Sequence, residues 1–144
     1  MLSRSIRMGL LVLATLVLCG CNAQDGLQRA SVDGTVTVDG VPVEMGSITF
    51  IPTDGTIGPA TGGKIVDGKY QIHASDGPVP GQHLVQIMGR RGTGKFKQEK
   101  LEGEIVNTEI IEEMVPKKYR GKSELKHKVQ AGTNTLNFDL TTDD

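Results

Sequence analysis

The stretch Gly63-Lys64-Ile65-Val66-Asp67-Gly68-Lys69-Tyr70-Gln71-Ile72-His73 carries the plainest structural signal in this chain. Ile65 lies one residue short of Asp67-Gly68, and Tyr70 and Ile72 follow at spacing two, the period of a strand with one buried face. Asp and Gly both accept positive φ, as a two-residue hairpin turn requires. The segment therefore reads as a β-hairpin. The same punctuation recurs through the chain: Asp-Gly occurs six times, beginning at Asp25, Asp33, Asp39, Asp54, Asp67 and Asp76. Each pair marks a turn, because Asp bonds its own backbone and Gly supplies positive φ.

Working outward from the hairpin, short alternating runs fill the intervals. Val32, Val36 and Val38 fall on one parity, and so do Ile48 and Phe50 before Pro52, which cannot donate to a ladder. After the turn Pro78-Val79-Pro80-Gly81, His83, Val85 and Ile87 share a face. Leu125 and Val129 alternate, then Leu136, Phe138 and Leu140. Phe50, Tyr70 and Phe138 take core positions. No strongly helical period competes. The chain has 144 residues with 19 Gly and 3% aromatics, so glycine is at about twice its usual share, as many tight turns demand. The fold class is all-β: about seven strands in an antiparallel sandwich over residues 31–140, with a short tail at 141–144.

The beginning of the chain is of another kind. Arg4 and Arg7 precede an apolar run through residues 9–18, the pattern of a secretory signal peptide. It is too short for a transmembrane helix, which needs about 20 apolar residues. Leu18-Cys19-Gly20-Cys21 resembles the lipobox of bacterial lipoproteins. The resemblance implies cleavage between Gly20 and Cys21, acylation of the Cys21 thiol, and a membrane-anchored protein of the cell envelope. Asn22 resembles the outer-membrane sorting preference of some Gram-negative bacteria, which implies an outer-membrane or periplasm-facing location. Residues 1–20 would then be the signal, and 21–30 a lipidated, mostly polar tether. Removing the signal leaves 14 basic and 17 acidic residues and a domain without a free thiol. Such a balance excludes a nucleic-acid footprint.

Residues 89–119 interrupt the strand pattern between the fifth and sixth strands. Connections of this length are functional or disordered more often than not. Arg90, Arg91, Lys95, Lys97 and Lys100 cluster first, and acids follow. Ile105, Val106, Ile110, Ile111, Met114 and Val115 supply apolar residues to the later half, which is expected to pack. The glycine-rich, basic start reads as a mobile loop and the first site of proteolysis. As a plain solvated loop it does nothing further. As a functional one, its five basic residues steer an acidic partner, an envelope protein or an anionic envelope polymer.

Val36-Thr37-Val38-Asp39-Gly40-Val41-Pro42-Val43 and Ile48-Thr49-Phe50-Ile51-Pro52 resemble the opening strands of carboxypeptidase-regulatory-like, transthyretin-type (prealbumin-like) domains. Asp67-Gly68-Lys69-Tyr70 and Pro80-Gly81-Gln82-His83-Leu84-Val85 resemble two further elements of that group, with His83 where an aromatic is usual. Val115-Pro116-Lys117-Lys118-Tyr119 and residues 134–140 resemble the ending of small lipoproteins from planctomycete-type bacteria. The resemblance implies a Greek-key β-sandwich. These are turn and core residues, so they speak for fold and hardly for activity.

Candidate chemistry is sparse. Gly89-Arg90-Arg91-Gly92-Thr93-Gly94-Lys95 has phosphate-loop spacing, but Phe96 replaces the hydroxyl residue that would hold Mg²⁺. Tyr119-Arg120-Gly121-Lys122-Ser123 resembles the ending of transthyretin-like hydroxyisourate hydrolases, yet Lys122 interrupts it and the first strand has no His. His73 and His83 could share a metal only if their strands were neighbours; packed, hydrogen-bonded histidines are expected of these two and of His127. Most acids belong to turns or to the insertion, without calcium-loop spacing or a paired-carboxylate cleft. The expectation is a non-enzymatic, cofactor-free, membrane-anchored module for envelope structure, adhesion or docking. A module binding glycan, peptide or a small molecule through strand-end loops and the insertion is the alternative, with a transthyretin-like hydrolase disfavoured.

Overall fold

A computed structural model of the chain describes residues 26–143. Gly20, Cys21 and the Asp25-Gly26 pair's first residue lie outside them, as does the whole signal segment. Among the described residues there are ten strands: β1 (Ser31–Val38), β2 (Val41–Pro42), β3 (Met45–Pro52), β4 (Thr61–Val66), β5 (Lys69–Ile72), β6 (Gly81–Leu101), β7 (Glu104–Glu113), β8 (Lys126–Val129), β9 (Thr133–Thr135) and β10 (Phe138–Leu140). A single 3-10 turn, Lys117–Tyr119, is the only helical element among them. The protein is all-β.

The strands form one connected, open and largely antiparallel sheet, with the order β10-β1-β5-β4-β3-β6-β7. β8 continues the pairing of β6 at its start, where Gly81 lies opposite Val129 and His83 opposite His127. Two pairings depart from the antiparallel expectation: β9 and β10 both run parallel to β1 along one of its edges. The ten strands exceed the expected seven because β2 and β9 are two and three residues long, and β7 lies in the supposed loop.

The sheet is not flat. Strands lie about 4.8 Å apart, so β10 and β3, four steps along the order, would sit about 19 Å apart in a plane. Instead the rings of Phe138 and Phe50 are 6.5 Å apart, and Tyr70 is 6.4 Å from Phe138. The sheet therefore curls around a shared core. That core takes Val32, Val36 and Val38 from β1, Ile48 and Phe50 from β3, Ile65 and Ile72 from β4 and β5, and Val85 and Ile87 from β6. The alternation read from the sequence is the alternation of burial. Ala30 already belongs to the core, with its N–H donating to the Pro78 carbonyl at 2.8 Å, so the tether ends before it.

The Asp-Gly pairs behave in two ways. Asp39-Gly40, Asp54-Gly55 and Asp67-Gly68 all have positive φ at both residues, the backbone of the turn that matches strand twist. Asp33-Gly34 is no turn; it lies inside β1, contrary to expectation. A Cβ at Gly34 would come within 1.9 Å of the Leu136 carbonyl oxygen, so glycine is there to let the chain between β9 and β10 press against β1. Asn137 completes that join, its Oδ1 accepting from the Thr35 N–H at 3.0 Å.

Two ends of the molecule follow from register. Thr35, Lys69, Val66, Met45, Arg90 and Glu113 form one row across six strands. The chain enters four residues below this row, where Ser31 donates to the Gly132 carbonyl at 2.9 Å. Above the row continue the second half of β1 with β2 and β10, and the long extension of β6 and β7.

Candidate functional site

Together the basic half, expected to be a mobile loop, and the later half, expected to pack, form a β-ribbon. β6 runs on past Arg90, and β7 returns along it from Leu101↔Glu104 to Arg90↔Glu113. Between them Glu102 and Gly103, with φ of 52° and 94°, reproduce the turn geometry of the Asp-Gly pairs. The correction has a physical cause. A ribbon with water on both faces has no need of alternating apolar and polar residues, so its strands leave no period to read.

Its base is bound to the body. Gly89 is buried, and a Cβ there would meet Val43 Cγ1 at 2.4 Å and Val115 Cγ2 at 2.9 Å. The absent side chain lets both valines cover β6 where the ribbon leaves. Met114 returns to the body by donating its N–H to the Gly89 carbonyl at 2.8 Å. Just beyond, the register shifts between Gly92 and Phe96. The Gly94 N–H donates to Glu109 Oε1 at 2.9 Å and the Thr93 hydroxyl to the Ile110 carbonyl at 2.7 Å, so this irregularity is itself held.

The five basic residues singled out in the sequence all lie on β6, and acids predominate on β7. Arg90 Nε meets Glu113 Oε1 at 3.3 Å, Arg91 Nε meets Glu112 Oε1 at 2.6 Å, and Lys97 Nζ meets Glu99 Oε1 at 2.7 Å. The Lys97 hydrogen bond and charge hold the half-exposed Glu99 carboxyl below its ordinary range. Lys95 and Lys100 make no ion pair among the described residues. Pairs this exposed each contribute about 0–1 kcal/mol. They matter more for what they remove: the ribbon is a mixed-charge surface with one basic and one acidic strand. Residues 90–113 hold six acids against the five bases.

Its apolar residues are unusually bare. Phe96 is 65% exposed and Ile105 71%, and Leu101, Ile110 and Ile111 are exposed too. An isolated two-stranded hairpin is marginal in water. Beyond Arg90 the ribbon has no third strand among the described residues; the body's last hold on its β6 edge is the Gly92 N–H, which donates to Glu44 Oε2 at 3.1 Å.

The phosphate-loop match is strand backbone of β6, with no helix after it. His73 follows β5, whose neighbours are β1 and β4, whereas His83 lies on β6; the structure does not bring them together. His83 instead faces His127 across β6 and β8. It is fully buried, edge-on to Phe50 at 6.2 Å, with Nδ1 3.1 Å from the Gly81 carbonyl and Nε2 unpartnered. Burial holds its imidazole below the ordinary range. Among the described residues no three His, Cys, Asp or Glu lie close enough together to hold a metal ion.

Residues 119–123 wrap the outside of β6. Ser123 is buried there, donating to the Val85 carbonyl at 2.6 Å and accepting from the Leu125 N–H at 3.1 Å, which is a structural tie. Two open hollows flank the ribbon base. One, about 500 Å³, is lined by Met45, Met88, Arg90, Ile111 and Glu113; the other, about 670 Å³, by Glu44, Arg91, Lys95 and Glu112. The later half's apolar residues, expected to pack, are largely surface: Ile105, Ile110 and Ile111 are exposed, and only Met114 and Val115 at its end join the core. The only signal of that exposure was Ile105, Val106, Ile110 and Ile111 in adjacent pairs, which suits neither a helix face nor a one-sided strand.

The chain was compared with protein-family models, curated proteins and solved structures, and matches none of them.

Proposed function

We propose that this protein is a non-catalytic, membrane-anchored envelope lipoprotein whose ribbon docks a protein partner. The observation that carries the reading is the ribbon itself: about ten residues per strand, held at the base as far as Gly92 and bare along its faces beyond, at the end away from Ser31. Acylated Cys21 would place the Ser31 end toward the membrane and direct the ribbon outward. Arg90, Arg91, Lys95, Lys97 and Lys100 take part as one side of a mixed-charge surface. That surface suits a protein with charges of both signs better than an anionic polymer. The curled sheet, with β1 shared between two sets of partners, supports a transthyretin-type Greek-key sandwich as its finer description. The envelope location follows from the lipobox resemblance.

The test uses the full-length protein in native membranes. Replacing residues 92–111 by Asn-Gly should leave membrane partition and melting temperature unchanged, yet lower the mass of the complex extracted in mild detergent to that of the monomer. An unchanged complex mass would refute docking by the ribbon. Cys21→Ser should leave an uncleaved or soluble precursor; unchanged membrane partition and lipid labelling in that variant would refute the anchor.

A further inference from the structure

The geometry points to a second copy of this chain, anchored in the same leaflet, as the ribbon's partner. This rests on the anchored-docking reading above and names the partner class for it.

Cross-strand register sorts the ribbon into two faces. One carries Arg90 opposite Glu113, Gly92 opposite Ile111, Phe96 opposite Glu109, Gln98 opposite Asn107 and Lys100 opposite Ile105. At its base the same face continues into exposed Met88 and Met45, around the hollow of about 500 Å³. Phe96, Ile105, Ile111, Met88 and Met45 thus form an apolar strip interleaved with charge. Monomeric proteins seldom leave such a strip uncovered.

Charge decides how it is covered. Copies anchored in one leaflet stand side by side with their ribbons parallel, so a closed pair has its two-fold axis along the ribbons. Packing these faces about that axis lays β6 of each copy over β7 of the other. Arg90 then faces the second copy's Glu113, Gln98 faces its Asn107, and Lys100 lies over its Ile105. No row brings like charges together. Turning one ribbon end for end would instead set the basic strand over the basic strand. Edge-to-edge pairing is the poorer fit, because the charged side chains flank both edges and discourage strand addition, and basic edge on acidic edge does not close.

The test co-expresses full-length Gln98→Cys and Asn107→Cys chains in one cell and treats native membranes with a short bis-maleimide. The expected product is a cross-linked dimer holding one of each, with little mixed product from co-expressed Ile105→Cys and Glu113→Cys chains, whose thiols stand about 26 Å apart along β7 when the ribbons are parallel. Adding Phe96→Glu to both chains should cut the mixed product at least about tenfold at an unchanged melting temperature. Absence of the mixed dimer from anchored protein overturns the inference and leaves the anchor intact. So does equal mixed linking of Ile105→Cys with Glu113→Cys, which would report the end-for-end arrangement. A cross-link in the wild-type protein would mean that Cys21 is free, and would fall on the anchoring reading instead.

Discussion

His83 and Phe138 show how single residues hold the core. His83 is buried beside Phe50, with Nε2 unpartnered and its imidazole held below the ordinary range by desolvation. The unfolded chain binds that proton near the ordinary histidine value of about 6.5, the folded chain only at lower pH. Across that window the unfolded state holds more protons, so stability falls as pH drops below 6.5 and is recovered above it. Urea midpoints from pH 8 to pH 5 should show this decline, and His83→Phe should flatten it. An equal decline in the variant would place the titrating group elsewhere. Phe138 contacts Phe50, Tyr70 and His127 rings at 6.5, 6.4 and 5.9 Å. Phe138→Ala should therefore cost about 3–5 kcal/mol by denaturant titration; a cost below about 1 kcal/mol would contradict its place in the core.

At the scale of elements, the turns set the register, and the ribbon's turn, which lacks the Asp-Gly signal, is the informative case. Glu102 holds a left-handed backbone that costs a residue of its kind about 1–2 kcal/mol, and only Gly103 beside it is suited to the geometry. Glu102→Asn should relieve part of that strain. Hydrogen exchange should then slow at the ribbon's ladder amides, residues 96–101 and 104–109, while the body's amides keep their rates. Unchanged ribbon exchange would mean that the turn does not limit the ribbon's opening. The same contrast explains what could be read beforehand. Asp67-Gly68 sits between strands with one wet face, so turn chemistry and alternation agree and the hairpin is plain. Glu102-Gly103 lacks the Asp or Asn signal, and the strands beside it are wet on both faces, so a ribbon looked like a loop. The parallel placement of β9 and β10 on β1 was equally hidden. It depends on Gly34 and Asn137, whose roles appear only when strands 102 residues apart in sequence meet.

At the scale of the whole molecule, one curled sheet separates two ends. The chain enters low on β1, where Ser31 meets Gly132, and the ribbon leaves above the row from Thr35 to Glu113. The five basic residues were legible as a group; their pairing with the acids of β7 was not, because it needs the register. An ordered ribbon standing clear of the tether's end is what the docking proposal and its two-fold partner both require. It is tested most directly by the distance between spin labels at Ala131→Cys, beside Ser31, and Glu104→Cys, near the ribbon tip, in the full-length protein diluted in lipid vesicles with excess unlabelled protein. At about 3.3 Å per residue, four steps up β1 and nine along β7 place the labels about 40–50 Å apart with a narrow distribution. A broad distribution, or one centred below about 30 Å, would show a loose or folded-back segment and contradict the account.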